Sequence, residues 1–339
     1  MMNDKDVTIL AIESSCDETA AAVVKNGREL LSNVIYSQID LHTVYGGVVP
    51  EIASRAHMEK INQVIRKALA DAGAALDDID AVAVTAGPGL VGALLVGVSC
   101  AKAISFAKSI PLIGVHHIKG HVCANYIEDK SLEPPFLCLV ASGGHTHLVK
   151  VTGYTGYEII GRTRDDAAGE AYDKIARAIG LGYPGGPKVE KAAHAGNPAA
   201  YAFPRPKIDE NPYDFSFSGV KSAVLNTINS AAMKGEEVSQ ADIAASFQAV
   251  VIDSMKERAA LAVDEFKMEK FAMAGGVASN QSIRKALEQM CARKGVRFYC
   301  PRPVLCTDNA AMIGCAGYYE YLEGNFAGLD LNAYPNMPL

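Results

Sequence analysis

One design occurs twice along the chain, beginning at Val7 and again at Pro135, and it restricts the fold more than any other feature. Val7-Thr-Ile-Leu-Ala-Ile12 is an apolar, β-leaning run, Glu13-Ser-Ser-Cys-Asp-Glu-Thr19 a polar turn, and Ala20 to Val24 a returning strand. Asn26-Gly27 is the next hairpin signal. Pro135-Phe-Leu-Cys-Leu-Val140, Ala141-Ser-Gly-Gly-His-Thr146 and His147 to Val151 repeat the order strand, small-residue turn, strand. Each copy is followed by a strand that runs into glycines and then a helix. The first is Thr85-Ala-Gly-Pro-Gly-Leu-Val-Gly92; the second is Lys270 to Ala274, Gly275-Gly276 and a helix from Ser279. A hairpin with a phosphate-type turn plus a strand–glycine–helix unit, present twice, predicts a duplicated two-lobed α/β fold with a nucleotide and metal cleft between the lobes. The expected lobes are residues 1–126, completed by a closing helix within 308–339, and residues 127–307.

The 339 residues suffice for two such lobes, and 49% hydrophobic with 21% charged residues gives ample core. A net charge of −6 does not indicate a broad basic nucleic-acid face, so any such binding needs a local patch or a partner. The eight cysteines, Cys16, Cys100, Cys123, Cys138, Cys291, Cys300, Cys306 and Cys315, contain no Cys-x-x-Cys pair and sit mostly in apolar runs. Free thiols in a reducing cytoplasm are expected, with no disulfide scaffold or zinc ribbon. The polar start, Met1 to Asp6, does not read as a signal peptide. Ala81 to Ala101 carries no charge and is long enough to cross a bilayer, but Gly87-Pro88-Gly89 divides it. It reads as a buried strand, a tight turn and a packed helix, not as a membrane span.

Chemistry concentrates at Val115-His-His-Ile-Lys-Gly-His-Val-Cys-Ala-Asn-Tyr126, which follows the short strand Pro111 to Val115. His117 and His121 share one helix face, with Cβ atoms about 5–6 Å apart, and can close on one cation. They can equally be surface or packing residues. Ile118 stands where a zinc peptidase carries its glutamate base, which disfavours peptide hydrolysis. A third ligand is offered by Cys306-Thr-Asp-Asn309, where Asp308 reads either as the N-cap of an apolar helix or as a carboxylate ligand. Two histidines and a carboxylate suit Fe(II), and zinc nearly as well. Asp17 and Glu18, in the first hairpin turn, can position a metal, a water or a donor, or can simply be solvated. His57, on the helix running from Pro50 to Leu69, reads as structural. Arg164 to Lys174 reads as an acid-rich helix start, and Gly182 to Glu190 as a turn.

Taken together, ten ordered motifs resemble one family. They are Ile12-Glu-Ser-Ser-Cys-Asp-Glu-Thr19, Tyr45-Gly-Gly-Val-Val-Pro-Glu-Ile-Ala-Ser-Arg55, Ala86-Gly-Pro-Gly-Leu-Val-Gly-Ala-Leu94 and His116-His-Ile-Lys-Gly-His121, then Ser142-Gly-Gly-His145 and Asp166-Ala-Ala-Gly-Glu170. Tyr183-Pro-Gly-Gly-Pro187, Asp214-Phe-Ser-Phe-Ser-Gly219, Met273-Ala-Gly-Gly-Val277 and Cys306-Thr-Asp-Asn309 complete the series. Over about Val7 to Gly317 the chain is similar to the bacterial TsaD family of tRNA N6-adenosine threonylcarbamoyltransferases. The resemblance implies an actin/Hsp70/sugar-kinase (ASKHA) type fold with duplicated RNase H-like cores. It also implies transfer of threonylcarbamoyl from threonylcarbamoyl-AMP to N6 of the adenosine 3′ to the anticodon, in tRNAs reading codons that begin with adenine. Carried over by position, one Fe(2+) per chain falls on His117, His121 and Asp308. Substrate contacts fall on Val140, Ala141, Ser142, Gly143, Gly144, Asp173, Gly186, Glu190 and Asn280. Glu190 departs from the family's usual aspartate by one methylene. The implied partners are tRNA, a TsaB-like protein, a TsaE-like ATPase and a TsaC-like synthase that supplies the intermediate, all cytoplasmic.

The donor is a mixed anhydride with AMP as leaving group, so no enzyme nucleophile is required. A metal would orient it and act as a Lewis acid. The Ser142-Gly143-Gly144 turn would hold its phosphate, and Gly275, Gly276 and Asn280 would face the adenosine. Asp17 is the candidate for taking the N6 proton. The alternatives are an ATP-dependent small-metabolite kinase or ATPase on the same fold, suggested by the paired phosphate turns, and a His-x-x-x-His metallopeptidase.

Overall fold

Continuous apolar runs, buried on both faces, build the first two strands, and a left-handed turn joins the second to a third. The computed structural model describes residues 6–206, 208 and 210–339; the polar start, apart from Asp6, lies outside them. Strand β1 (Thr8–Glu13) pairs antiparallel with β2 (Glu18–Lys25), which pairs antiparallel with β3 (Glu29–Ser37). Asn26 and Gly27 both adopt positive φ, 51° and 70°, as the Asn-Gly signal requires. After α1 (Ile39–Thr43) and the long α2 (Pro50–Ala72), strand β4 (Ala81–Gly87) lies parallel to β1. Helix α3 (Val91–Lys108), strand β5 (Leu112–His116) and helix α4 (His117–Glu128) follow, with β5 parallel to β4.

The second copy starts at β6 (Phe136–Ala141) and continues through β7 (Thr146–Val151) and β8 (Tyr157–Arg162). Four helices come next: α5 (Ala168–Ala178), α6 (Gly185–Ala193), α7 (Ser218–Lys234) and α8 (Gln240–Phe266). Strand β9 (Lys270–Ala274), helix α9 (Gln281–Lys294) and strand β10 (Arg297–Tyr299) complete it, and α10 (Pro303–Cys306) and α11 (Ala310–Leu322) follow. The sheets run β3-β2-β1-β4-β5 and β8-β7-β6-β9-β10, so the same strand order recurs in both. The duplication read from the sequence is present strand for strand. The described residues divide into two compact units, those within 6–134, 152–157 and 301–339, and those within 135–151 and 158–300.

Within the first unit, period-two alternation decides which face each helix covers. Leu10, Ile12, Ala21 and Val23 form one core with Ile61, Val64 and Ile65 of α2 and Val98 and Ala101 of α3. On the opposite face α11 lies against β1, β2 and β4. It can do so because Gly314 faces Val24 and Ala11 and Gly317 faces Ala83. The charge-free stretch from Ala81 is therefore strand β4, the Gly87-Pro88-Gly89 turn and helix α3, as expected. By length and composition α3 could cross a membrane, but its Ala93, Leu94, Gly97 and Val98 face is buried in this core.

Two local expectations need correction. The residues from Gly185 to Glu190 belong to helix α6 and not to a turn. Pro187 is tolerated there because the first-turn N–H groups have no helical partner to lose. Helix α9 starts at Gln281, after a 3-10 turn over Gly276–Ser279, because the Asn280 side chain accepts from the Ile283 N–H at 3.0 Å and caps the helix. All eight cysteines are free thiols, as expected.

A Cβ added at Gly314 would lie 2.6 Å from Val24 Cγ2 and 3.2 Å from the Ala11 Cβ. Gly314→Val is therefore expected to destabilise the protein by on the order of 2 kcal/mol in urea unfolding, through overpacking of helix on sheet. An unchanged midpoint would contradict the close approach of α11.

Candidate metal centre and substrate site

Strand β5 ends at His116, and helix α4 starts on the next residue. His117 thus stands in the first turn and His121 one turn later, both buried. The rings meet edge to face, with centroids 4.6 Å apart. Asp308, in the short link between α10 and α11, puts Oδ1 3.1 Å from His121 Nε2 and 3.5 Å from His117 Nε2. The cap of α11 is Asn309, whose side chain accepts from the Met312 N–H at 3.0 Å. Asp308 is not the cap. The competing explanation for that carboxylate is removed by its neighbour.

The other side of His117 is held by a residue that sequence reasoning did not single out. Glu13, at the end of β1 and fully buried, accepts from His117 Nδ1 at 3.0 Å and from Thr85 Oγ1 at 2.7 Å, and its other oxygen accepts from the Ser15 N–H. Ser15 Oγ lies 3.2 Å from the same Nδ1. In the neutral ring a proton on Nδ1 leaves Nε2 bare and turned toward His121 and Asp308, the carboxylate–histidine arrangement that orients metal ligands. The available signal was an acid closing an otherwise apolar strand.

These residues fit a first-row divalent ion. Ligands about 2.1 Å from a common ion stand roughly 3.0–3.4 Å apart in octahedral or tetrahedral geometry. The three ligand atoms here lie within 4.8 Å of one another. Both ring nitrogens of His121 are buried without a hydrogen bond, although Nε2 is close to Asp308.

Electrostatics separates the two imidazoles. Burial pushes His117 down, but the Asp308 and Glu13 carboxylates outweigh it and raise the ring to about 9. Burial lowers His121, with the His117 charge adding to it against the pull of Asp308. Without a cation, His117 therefore carries a proton at neutral pH that a metal must displace. Nearby, Glu18 accepts from Ser37 Oγ at 3.0 Å, and burial together with the Asp17 and Asp308 charges raises it well above an ordinary glutamate. Asp17 is buried in the same turn. The Cys16 thiol is pushed well up by burial and by Asp17, which makes it a poor nucleophile. His57 is structural, as expected: its nitrogens meet Thr19 Oγ1 at 2.7 Å and Cys16 O at 2.9 Å, pinning the turn to α2.

In the second unit the proposed substrate residues are joined by a chain of contacts. Val140 and Ala141 end β6, and Ser142-Gly143-Gly144 forms the turn, with the Ser142 O accepting from the Gly169 N–H of α5 at 3.1 Å. A side chain at Gly143, Gly144 or Gly186 would meet nothing within 4 Å, so these glycines face open space. Asp173, one turn along α5, accepts from the Gly185 N–H at 2.7 Å and holds the start of α6. Glu190 of α6 accepts from the Ser282 N–H at 3.1 Å in the first turn of α9. Asn280 donates to Gln248 Oε1 at 3.0 Å. Gly275, at φ 88°, presses against Ala141 and closes the ring. Backbone approach that close, at positive φ, admits only glycine.

Similarity to solved structures supports the fold. HypF from T. kodakarensis superposes with a TM-score of 0.62 at 18% identity, over 96% of this chain and 49% of that one. The Acidaminococcus fermentans (R)-2-hydroxyglutaryl-CoA dehydratase component A gives 0.53 at 17% identity, over 93% and 99%. The chain thus has an actin/Hsp70/sugar-kinase type α/β fold, with two histidines and one carboxylate grouped so that they could hold a metal ion. The family model "TsaD: tRNA N6-adenosine threonylcarbamoyltransferase" matches residues 29–315. The tRNA N6-adenosine threonylcarbamoyltransferase of Clostridium beijerinckii is 59% identical over 336 residues, 99% of each chain. This chain belongs to the TsaD family, and it is a transferase of tRNA threonylcarbamoyladenosine formation. The comparisons do not favour the kinase and peptidase alternatives, and Ile118 is a buried apolar residue that provides no peptidase base.

Because uptake displaces one proton from a ring at about 9, Co(II) affinity should rise about tenfold per pH unit below that value and level off above it. Glu13→Ala should weaken Co(II) binding by about 10–100-fold with the direct ligands intact. Competition with a chromogenic chelator measures both, and a flat pH profile would contradict the paired carboxylates.

Proposed function

We propose that the family's reaction runs in this chain from threonylcarbamoyl-AMP, with iron(II) held by His117, His121 and Asp308. The observation that carries this reading is the approach of both Nε2 atoms to Asp308 Oδ1 while Glu13 occupies Nδ1 of His117. Held by these three residues, such an ion would supply Lewis-acid polarisation. Ser142, Gly143 and Gly144 bind the phosphate through a turn with room for it, flanked by Val140 and Ala141. Asp173, Gly186, Glu190 and Asn280 shape the nucleotide's surroundings, the longer Glu190 reaching the α9 start that an aspartate would approach less closely. Attack by the adenosine N6 on the carbamoyl carbonyl expels AMP, so the chain needs to position the reactants, not to form a covalent intermediate. Asp17 accepts the N6 proton.

The proposed acceptor is the adenosine 3′ to the anticodon of tRNAs reading codons that begin with adenine. A chain of net charge −6 meets that polyanion through a local basic groove completed by TsaB-like and TsaE-like partners, with a TsaC-like synthase supplying the donor in the cytoplasm.

Reconstitution with unmodified tRNA, preformed threonylcarbamoyl-AMP, partners and iron tests the reading, with nucleosides read by mass spectrometry. Wild type is expected to yield threonylcarbamoyladenosine, His121→Ala to lose more than about a hundredfold in rate, and Asp17→Asn to lose rate with metal content unchanged. Full transfer by His121→Ala would exclude the metal's role, and full transfer by Asp17→Asn would exclude the base.

A further inference from the structure

The segment after α11 is tied down largely by backbone hydrogen bonds, with Leu331 packed on Gly114, and its contacts lead to His116, the residue before His117. The Ala327 N–H donates to Leu112 O at 2.8 Å at the outer edge of β5. Leu331 then covers Gly114, two residues further along that strand. The Tyr334 N–H donates to Ala86 O at 2.7 Å, and Pro335 O accepts from the Gly89 N–H at 3.2 Å, so the segment crosses the β4 end. Finally Met337 O lies 3.0 Å from His116 Nε2. The His116 ring is buried, and its Nδ1 lies 3.1 Å from the Ile118 N–H, where it serves as the N-cap of α4.

Chemistry assigns the protons on this ring. A carbonyl can only accept, so Nε2 carries hydrogen toward Met337 O. An amide N–H can only donate, so Nδ1 is bare toward Ile118. The two bonds require the same neutral tautomer. Removing the Met337 carbonyl frees the ring to place its proton on Nδ1, which abolishes the cap at the turn that contains His117.

We propose that His116 is a positioning residue for the metal centre, and that the 326–337 strap selects the tautomer with which it caps α4 and aims His117. The inference rests on the metal reading above and concerns what keeps the ligands in place before any ion arrives. Nothing is asked of His116 as a ligand: its Nε2 is turned to the strap.

Three variants test it: the chain stopped after Asn336, His116→Phe, and His116→Asn, whose amide can both accept from Ile118 and donate to Met337. Long-range proton–nitrogen spectra of the histidine-labelled protein should show one Nε2–H tautomer for His116, replaced by a mixture in the shortened chain. Co(II) affinity should fall about tenfold in the shortened chain and in His116→Phe, and no further when the two are combined. His116→Asn should retain most of it, with far-UV dichroism unchanged throughout. A fixed tautomer in the shortened chain, or equal loss in Asn and Phe variants, overturns the inference while leaving the metal reading intact. A wild-type chain that takes up no Co(II) overturns the metal reading and, with it, the aiming of His117; the spectra decide the tautomer independently.

Discussion

A single buried carboxylate ties the centre of the first unit together. Glu13 is wholly removed from water, and leaving such a charge without partners would cost several kcal/mol. It is satisfied by donors from three elements: the Ser15 amide in its own turn, Thr85 on β4 and the His117 ring on α4. Those bonds exist only if β1 and β4 keep their parallel register and α4 begins directly at the β5 end. The geometry of the histidine pair is thereby a consequence of sheet pairing. Asp308 arrives from the distant end of the chain because the glycine face of α11 lets that helix lie on the same sheet.

The second unit uses the same strand order for another purpose. Its small-residue turn faces open space at Gly143 and Gly144, with α5, α6 and α9 linked around it by Asp173, Glu190 and Asn280. Each of these side chains anchors a helix start. A backbone-lined turn suits a phosphate, while the imidazole and carboxylate set of the first unit suits a cation. The duplicated architecture thus carries two unlike chemistries, a backbone turn at the β6–β7 hairpin of one unit and side-chain ligands at the β5–α4 junction and the α10–α11 link of the other.

Much of this was legible in the chain because short apolar runs, Asn26-Gly27 and the glycine turns are local signals that tertiary packing reinforces. The histidine spacing was equally plain. Asp308 was ambiguous because Asp308 and Asn309 are both capping types, and only the bond from Met312 to Asn309 separates them. Glu13 escaped because an acid at a strand end looks solvent-facing until three partners are seen to enclose it. Helix α6 was misread since Gly185, Gly186 and Pro187 are turn formers that the first helical turn happens to tolerate. The strap over residues 326–337 was not singled out, because backbone carbonyls and amides fix most of its course and only scattered side chains such as Ala327 and Leu331 pack on the core.

X-ray absorption at the iron edge of the anaerobically loaded protein tests the central claim most directly. The account predicts two imidazole nitrogens and at least one carboxylate oxygen about 2.0–2.2 Å from the ion, with one imidazole lost in His121→Ala. A coordination shell without imidazole, or one unchanged by that substitution, would contradict it.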